Sequence, residues 1–307
     1  MKLTNFAAGV AVAVFSAGSA VASTVNTTAN VVFIVDESGT MVGEQEFLRN
    51  TVVDRLDSEL AAAGVTNRSY ATVGFGGGGG GNLGADNLGR IVGGGLTSDT
   101  GDAKADLALL GLGGSFEDGY SAIDFALNNI TFTPGAAVNL ILVTDEDRDN
   151  GNSSLTRESI QQVLTDRNIL LNAIVDNTVD ADSTMLGNQP AIGVDADGNA
   201  YRAGAGGAFT SVPTGQLTDF DSGSTRADYS ELALATGGAV WDIEILRNGG
   251  DDATSFANAF IDIKVSEIIS QPPVDTNVIP LPAGAWLMLA GIGAFGVMRR
   301  RQQKMAA

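Results

Sequence analysis

Three oxygen-bearing side chains, Asp36, Ser38 and Thr40, follow at a spacing of two in "VVFIVDESGTMVG", residues 31–43. A turn that projects alternate side chains to one side offers one carboxylate and two hydroxyls. That set suits a hard divalent cation such as Mg²⁺, Ca²⁺ or Mn²⁺, with water filling the remaining positions. A second aspartate, Asp145, ends another apolar run in "VNLILVTDEDRD". The chain has no histidine and no cysteine. Ser-His-Asp and Cys-His catalysis, imidazole and thiolate metal sites and disulfides are therefore excluded, and any metal must be held by oxygen.

These residues need rigid posts, and the patterning supplies them. Short apolar runs alternate with amphipathic stretches, which predicts an α/β fold with a mostly parallel sheet between helices. Strands are expected at Val31–Val35, Tyr70–Phe75, Val138–Val143, Leu170–Val175 and Ala239–Ile243. Helices are expected at Glu44–Ala63, Ser115–Asn128, Arg157–Arg167, Asp228–Thr236 and Thr254–Ile268. In the first, Phe47, Val52, Leu56 and Leu60 recur at near-helical spacing. Ser115 with Asp118, and Asp228 with Glu231, read as helix caps. In such a sheet ligands gather beyond the carboxyl ends of the strands, which brings Asp36 and Asp145 to one edge.

Two segments break the rhythm. Six consecutive glycines, Gly76–Gly81, are costly to order and are followed by no Gly-Lys-Ser/Thr, so they read as a surface loop before a short edge strand around Arg90–Val92. Residues 177–226 are rich in Asp, Gly, Ser and Thr. Within them "GVDADGNAYRA" predicts a hairpin turning at Asp197-Gly198. Asp195, Asp197 and Asn199 have the spacing that opens an EF-hand loop, but Gly206 stands where its closing glutamate belongs. A polar hairpin turn is the expected reading.

The net charge is −19. Setting aside the five basic residues near the two ends leaves 12 basic against 36 acidic residues, or −24. Such a surface repels nucleic acid and attracts cations. The first residues, "MKLTNFAAGVAVAVFSAGSAVAS", have the basic start, apolar run and small-x-small site of a signal peptide cut after Ala22. At the other end, after a linker at 269–278, Ala283–Met298 is a 16-residue apolar stretch followed by Arg299–Arg301. This predicts a short transmembrane helix, with the C-terminus expected in the cytoplasm. With Pro280-Leu281-Pro282-Ala283-Gly284 before it, the segment from 279 to 307 resembles the VPLPA variety of bacterial PEP-CTERM sorting tails. That resemblance implies membrane anchoring, then processing by an exosortase-type transpeptidase and release to the periplasm, cell surface or extracellular matrix.

The middle of the chain resembles the von Willebrand factor A (vWA) domain. "IVDESGTM" resembles its Asp-x-Ser-x-Ser segment, with Thr40 at the last position. "GGSFEDGYSAI" resembles its third ligand loop, "ILVTDEDRD" its second, and "ELALATGGAVWDI" its late helix, Thr-Gly-Gly turn and closing strand. The resemblance implies a doubly wound, Rossmann-like domain over about residues 23–268, with 177–226 inserted. It also implies a metal-ion-dependent adhesion site (MIDAS) in which Asp36, Ser38, Thr40 and Asp145 hold a divalent cation. The family's third-loop threonine is replaced here: its place falls at or beside Glu117, with Ser115 two residues earlier. Glu117 coordinates directly in its place, or Ser115 or water substitutes. The function implied is a surface or matrix binding module, not an enzyme, whose cation docks an extracellular protein or polysaccharide. The alternatives are a metal-assisted carboxylate hydrolase and a non-specific acidic calcium-binding matrix protein.

Overall fold

The computed structural model describes residues 26–77, 88–114, 116–181, 190–218 and 223–274. The expected signal peptide, most of the glycine run, Ser115 and the sorting tail with its apolar stretch lie outside them. Among the described residues no helix is long and apolar enough to cross a membrane.

The architecture is α/β and doubly wound. A nine-stranded sheet is built from β1 (Thr28–Asp36), β2 (Asn67–Phe75), β3 (Arg90–Thr97), β4 (Ala137–Thr144), β5 (Ile169–Val175), β7 (Gly193–Asp195), β8 (Ala200–Ala203), β9 (Phe209–Val212) and β11 (Ala239–Asp242). The order is β3-β2-β1-β4-β5-β11-β7-β8-β9; β6 (Val179–Asp180) and β10 (Gln216–Leu217) pair separately. The five strands from β2 to β11 run parallel. At the edges β3 and the β7–β9 meander are antiparallel. The predicted hairpin is therefore real, and its strands extend the sheet.

Because side chains alternate across a strand, β1 feeds two cores. Val32 and Ile34 face α3 (Gly119–Asn129), α4 (Arg157–Asp166) and α5 (226–235) through Ile123, Leu164 and Leu232. Val31, Phe33 and Val35 face α1 (42–62), α2 (Thr100–Leu107) and α7 (Gly250–Ser270) through Leu56, Leu107 and Phe260. All of these side chains are buried. A short helix, α6 (Ile243–Arg247), follows β11 directly.

Several expectations need correction. The helix expected from Ser115 begins at Gly119, and Asp118 is its cap, accepting from the Ser121 amide. The helix expected from Asp228 begins with a π turn at Arg226. Its first amides are held by Asp147, which accepts from the Ser224 and Thr225 amides at 2.7 and 2.8 Å and from the Thr225 hydroxyl. Edge strand β3 runs on to Thr97, and α2 was not foreseen. Beyond α7 the chain stays packed as far as Val274, whose amide donates to the Ala136 carbonyl at 2.7 Å.

Candidate metal centre

β1 and β4 lie side by side, so Asp36 ends one strand beside Thr144 at the end of the other. The Asp36 carboxylate is fully buried. Its Oδ1 accepts from the Ser38 amide at 2.7 Å, which turns the chain out of the sheet, and its Oδ2 accepts from the Thr144 hydroxyl at 2.8 Å. The turn sets the Ser38 and Thr40 hydroxyls 3.1 Å apart. Thr40 in turn donates to Asp145 Oδ1 at 3.1 Å. The four residues expected from the sequence thus form one contiguous patch of oxygens, buried at Asp36 and exposed at Thr40.

The fit to a cation rests on the chemistry of the donors: two carboxylates and two hydroxyls, all hard oxygens, suit a divalent cation such as Mg²⁺, Ca²⁺ or Mn²⁺.

Glu117 stands beside this set. A Cβ placed on Gly76 would lie 3.2 Å from Asp36 Oδ1 and 3.6 Å from Glu117 Oε1, so the two carboxylates flank one glycine. The Glu117 amide donates to Asp149 at 2.8 Å, and the Asp149 amide donates back to the Glu117 carbonyl at 2.8 Å. Burial, with Asp36 and Asp149 close by, pushes the Glu117 carboxyl up to about 8. Burial likewise raises Asp36 to about 7, against the bonds from Thr144 and Ser38 and with help from the nearby Asp145. Among the described residues no three carboxylates gather closely enough to hold an ion alone.

Several residues shape the site although the sequence did not single them out for it. Glu37 sits between the motif positions yet is completely buried. Its carboxylate is gripped by Arg90 and by the Gly111 amide at 2.5 Å, and its carbonyl accepts from the Gly113 and Gly114 amides. A Cβ on Gly74 or Gly77 would stand 2.6 Å from that carboxylate, and one on Gly114 would strike the Gly76 carbonyl at 1.9 Å. Here the start of the glycine run makes room for Glu37. Asp118, also buried, accepts from Arg148 at 2.7 Å and from the Asn152 amide, tying the loop after β4 to the loop before α3. Arg247 on α6 donates to Asp145 Oδ2 at 2.7 Å, Glu44 at 2.7 Å and Glu244 at 2.9 Å. It balances charge where Asp36 and Asp242 end strands and Asp145 and Asp176 directly follow them.

By contrast, Asp195 spends its oxygens locally. It accepts from the Asp197 and Asn199 amides, the Asn199 side chain and the Tyr201 hydroxyl. The EF-hand spacing there is a hairpin cap.

No protein-family model matches the chain, and no curated protein matches it in sequence. Solved structures do align. One is proximal thread matrix protein 1 from the mussel byssus, at 16% identity and TM-score 0.35 over 50% of this chain and 37% of that one. The same protein with a zinc-occupied MIDAS motif aligns at 14% identity and TM-score 0.36, over 51% and 38%. An aerotolerance-related membrane protein from Bacteroides fragilis aligns at 16% and 0.40, over 78% of this chain and 99% of its own. The SpRpn10 VWA domain aligns at 11% and 0.36, over 48% and 75%. The chain thus spans little more than a third of the mussel protein's length. The α/β architecture is read from this chain's own sheet order.

Proposed function

We propose that the chain is a von Willebrand A-type binding module, exported and delivered to the cell surface or matrix, that docks its ligand through a divalent cation. Asp36, Ser38, Thr40 and Asp145 hold the ion, with Glu117 beside them. The observation that carries this reading is the oxygen patch itself: a buried, prearranged carboxylate under two hydroxyls that open to solvent at Thr40. A bound divalent cation supplies an electrophilic coordination position at that opening, which a partner's carboxylate or other oxygen completes. The protein's own groups do the rest. Thr144 and the Ser38 amide orient Asp36, Glu37 and Arg90 fix the loop, and Arg247 holds Asp145.

A ligand set that opens to solvent at Thr40 suits docking of a large partner, whereas hydrolysis calls for a concave site that encloses the substrate. Thermal melts of the parent and Asp36→Ala with Mg²⁺, Ca²⁺ or EDTA test the cation site. The parent melt should rise with cation and the variant's should not; an equal rise in both contradicts the assignment. EDTA-sensitive capture of one saturable partner from surface extracts distinguishes docking from non-specific calcium binding.

A further inference from the structure

Lys264, on α7, is completely buried. Taking an ammonium out of water is costly, and burial favours the neutral amine. Its Nζ donates to Glu267 Oε2, one turn further on, at 2.5 Å. The same oxygen accepts from the Asn139 carboxamide at 3.2 Å and from that of Asn172 at 3.0 Å. Asn139 on β4 and Asn172 on β5 are both completely buried, and Asn172 Nδ2 also donates to Asn139 Oδ1 at 2.9 Å. An amine and two carboxamides therefore converge on one carboxylate oxygen. Glu267 Oε1 is buried with no hydrogen-bond partner among the described residues. The ring centres of Trp241 and Phe260 lie 6.0 and 5.7 Å from Nζ and make that side of the cluster apolar. A salt bridge alone calls for neither asparagine.

We propose that Lys264 and Asn172 are joined by an intramolecular amide bond that the protein makes for itself, with Glu267 as the catalytic carboxylate. The nucleophile and the leaving nitrogen already share Glu267 Oε2. Oε2 takes a proton from Nζ, whose lone pair attacks Cγ of Asn172. The Nζ–Cγ bond forms and the Cγ–Nδ2 bond breaks. Two protons from Nζ pass through Oε2 to Nδ2, which departs as ammonium. A lysine ammonium and a carboxamide thus become a secondary amide and an ammonium ion, with no other reactant. Asn172 is the acceptor because of what holds its carbonyl. Its Oδ1 accepts from the Ala239 backbone amide at 2.7 Å, a fixed donor where negative charge develops. Asn139 Oδ1 accepts instead from the Asn172 side chain, so Asn139 positions the leaving nitrogen. Burial brings the Lys264 amine down to about 8, against the pull of Glu267, so neutral amine is available near neutral pH. The bond ties α7 to β5 in the middle of the sheet and owes nothing to the cation site.

The test is a tryptic peptide map of the purified full chain by mass spectrometry. The expected main species is a branched peptide in which Lys264 is joined to Asn172. It should be lighter by one ammonia than its two parts, with no cleavage after Lys264. Lys264→Arg, which keeps the positive charge, and Glu267→Gln, which keeps the shape, should each give the two peptides separately. The parent map decides by itself if either variant fails to fold. Cleavage after Lys264 with an unaltered Asn172 as the main product of the parent overturns the inference. A branch at Asn139 overturns the choice of acceptor, and a branch that persists in Glu267→Gln overturns the role of Glu267.

Discussion

Two loops of this protein carry oxygen side chains at the same one-three-five spacing, and the fold uses them in opposite ways. In Asp36-Glu37-Ser38-Gly39-Thr40 and in Asp195-Ala196-Asp197-Gly198-Asn199, the first aspartate accepts from the backbone amide two residues on. The loops diverge at the second carboxylate oxygen. Asp36 gives it to Thr144 of the neighbouring parallel strand, leaving the Ser38 hydroxyl against Thr40 and the Thr40 hydroxyl to reach Asp145. Asp195 gives it to Asn199 and to Tyr201 on the returning strand of its own hairpin. A parallel strand end must look to other strands for partners, whereas a hairpin consumes its polar groups locally. The same spacing is thus a shared site in one place and a turn in the other.

The largest effect should separate the two loops directly. A cation at a hundredfold excess over its Kd stabilises the fold by about 2.7 kcal/mol, roughly 5–10 °C for a domain of this size. Asp36→Asn should abolish that shift in a thermal melt. Asp195→Asn should lower the melt by about 1–2 kcal/mol while leaving the cation shift whole. If Asp195→Asn removes the shift and Asp36→Asn does not, the roles are reversed. Next is Glu37→Ala, which leaves Arg90 and the Gly111 amide without their partner. Allowing for the partial exposure of Arg90, it should cost about 2 kcal/mol in chemical denaturation and weaken Mg²⁺ binding by calorimetry. No hairpin residue should affect Mg²⁺ binding.

A further effect comes from pH. Asp36 is raised to about 7 and Glu117 to about 8, above the ordinary carboxylate range. The folded state therefore binds protons that the unfolded chain has released. On their account, metal-free stability is greatest at about pH 4 and declines as pH rises to about 7–8. A cation needs the ionised form, so its stabilisation runs the other way. Mg²⁺ affinity should fall by up to about tenfold per unit below pH 7, and an affinity that is flat between pH 6 and 8 contradicts this. The smallest effect is at Arg247. Arg247→Gln should tighten Mg²⁺ binding about threefold, by removing a competing positive charge from Asp145, while lowering metal-free stability by about 1 kcal/mol.

How far the sequence can be read follows from where each signal lies. Asp36 and Asp145 are legible because a buried parallel strand shows as an unbroken apolar run, and the residue that ends it is conspicuous. Glu37 is not, because it occupies a spacer position and its importance arises from glycines at 74, 77 and 111 that touch it only in the fold. Asp147 likewise caps a helix that starts almost eighty residues later. Helix α2 escapes because "TGDAKADL" buries only Ala103 and Leu107, too few apolar positions to show a period. The Asp195 loop shows the opposite hazard, in which a ligand-like spacing is satisfied by its own hairpin.

The most direct test is anomalous diffraction from a crystal soaked in Mn²⁺. The account predicts a peak bounded by Asp36, Ser38, Thr40 and Asp145. A peak at Asp195, Asp197 and Asn199 instead, or density at neither loop, would contradict it.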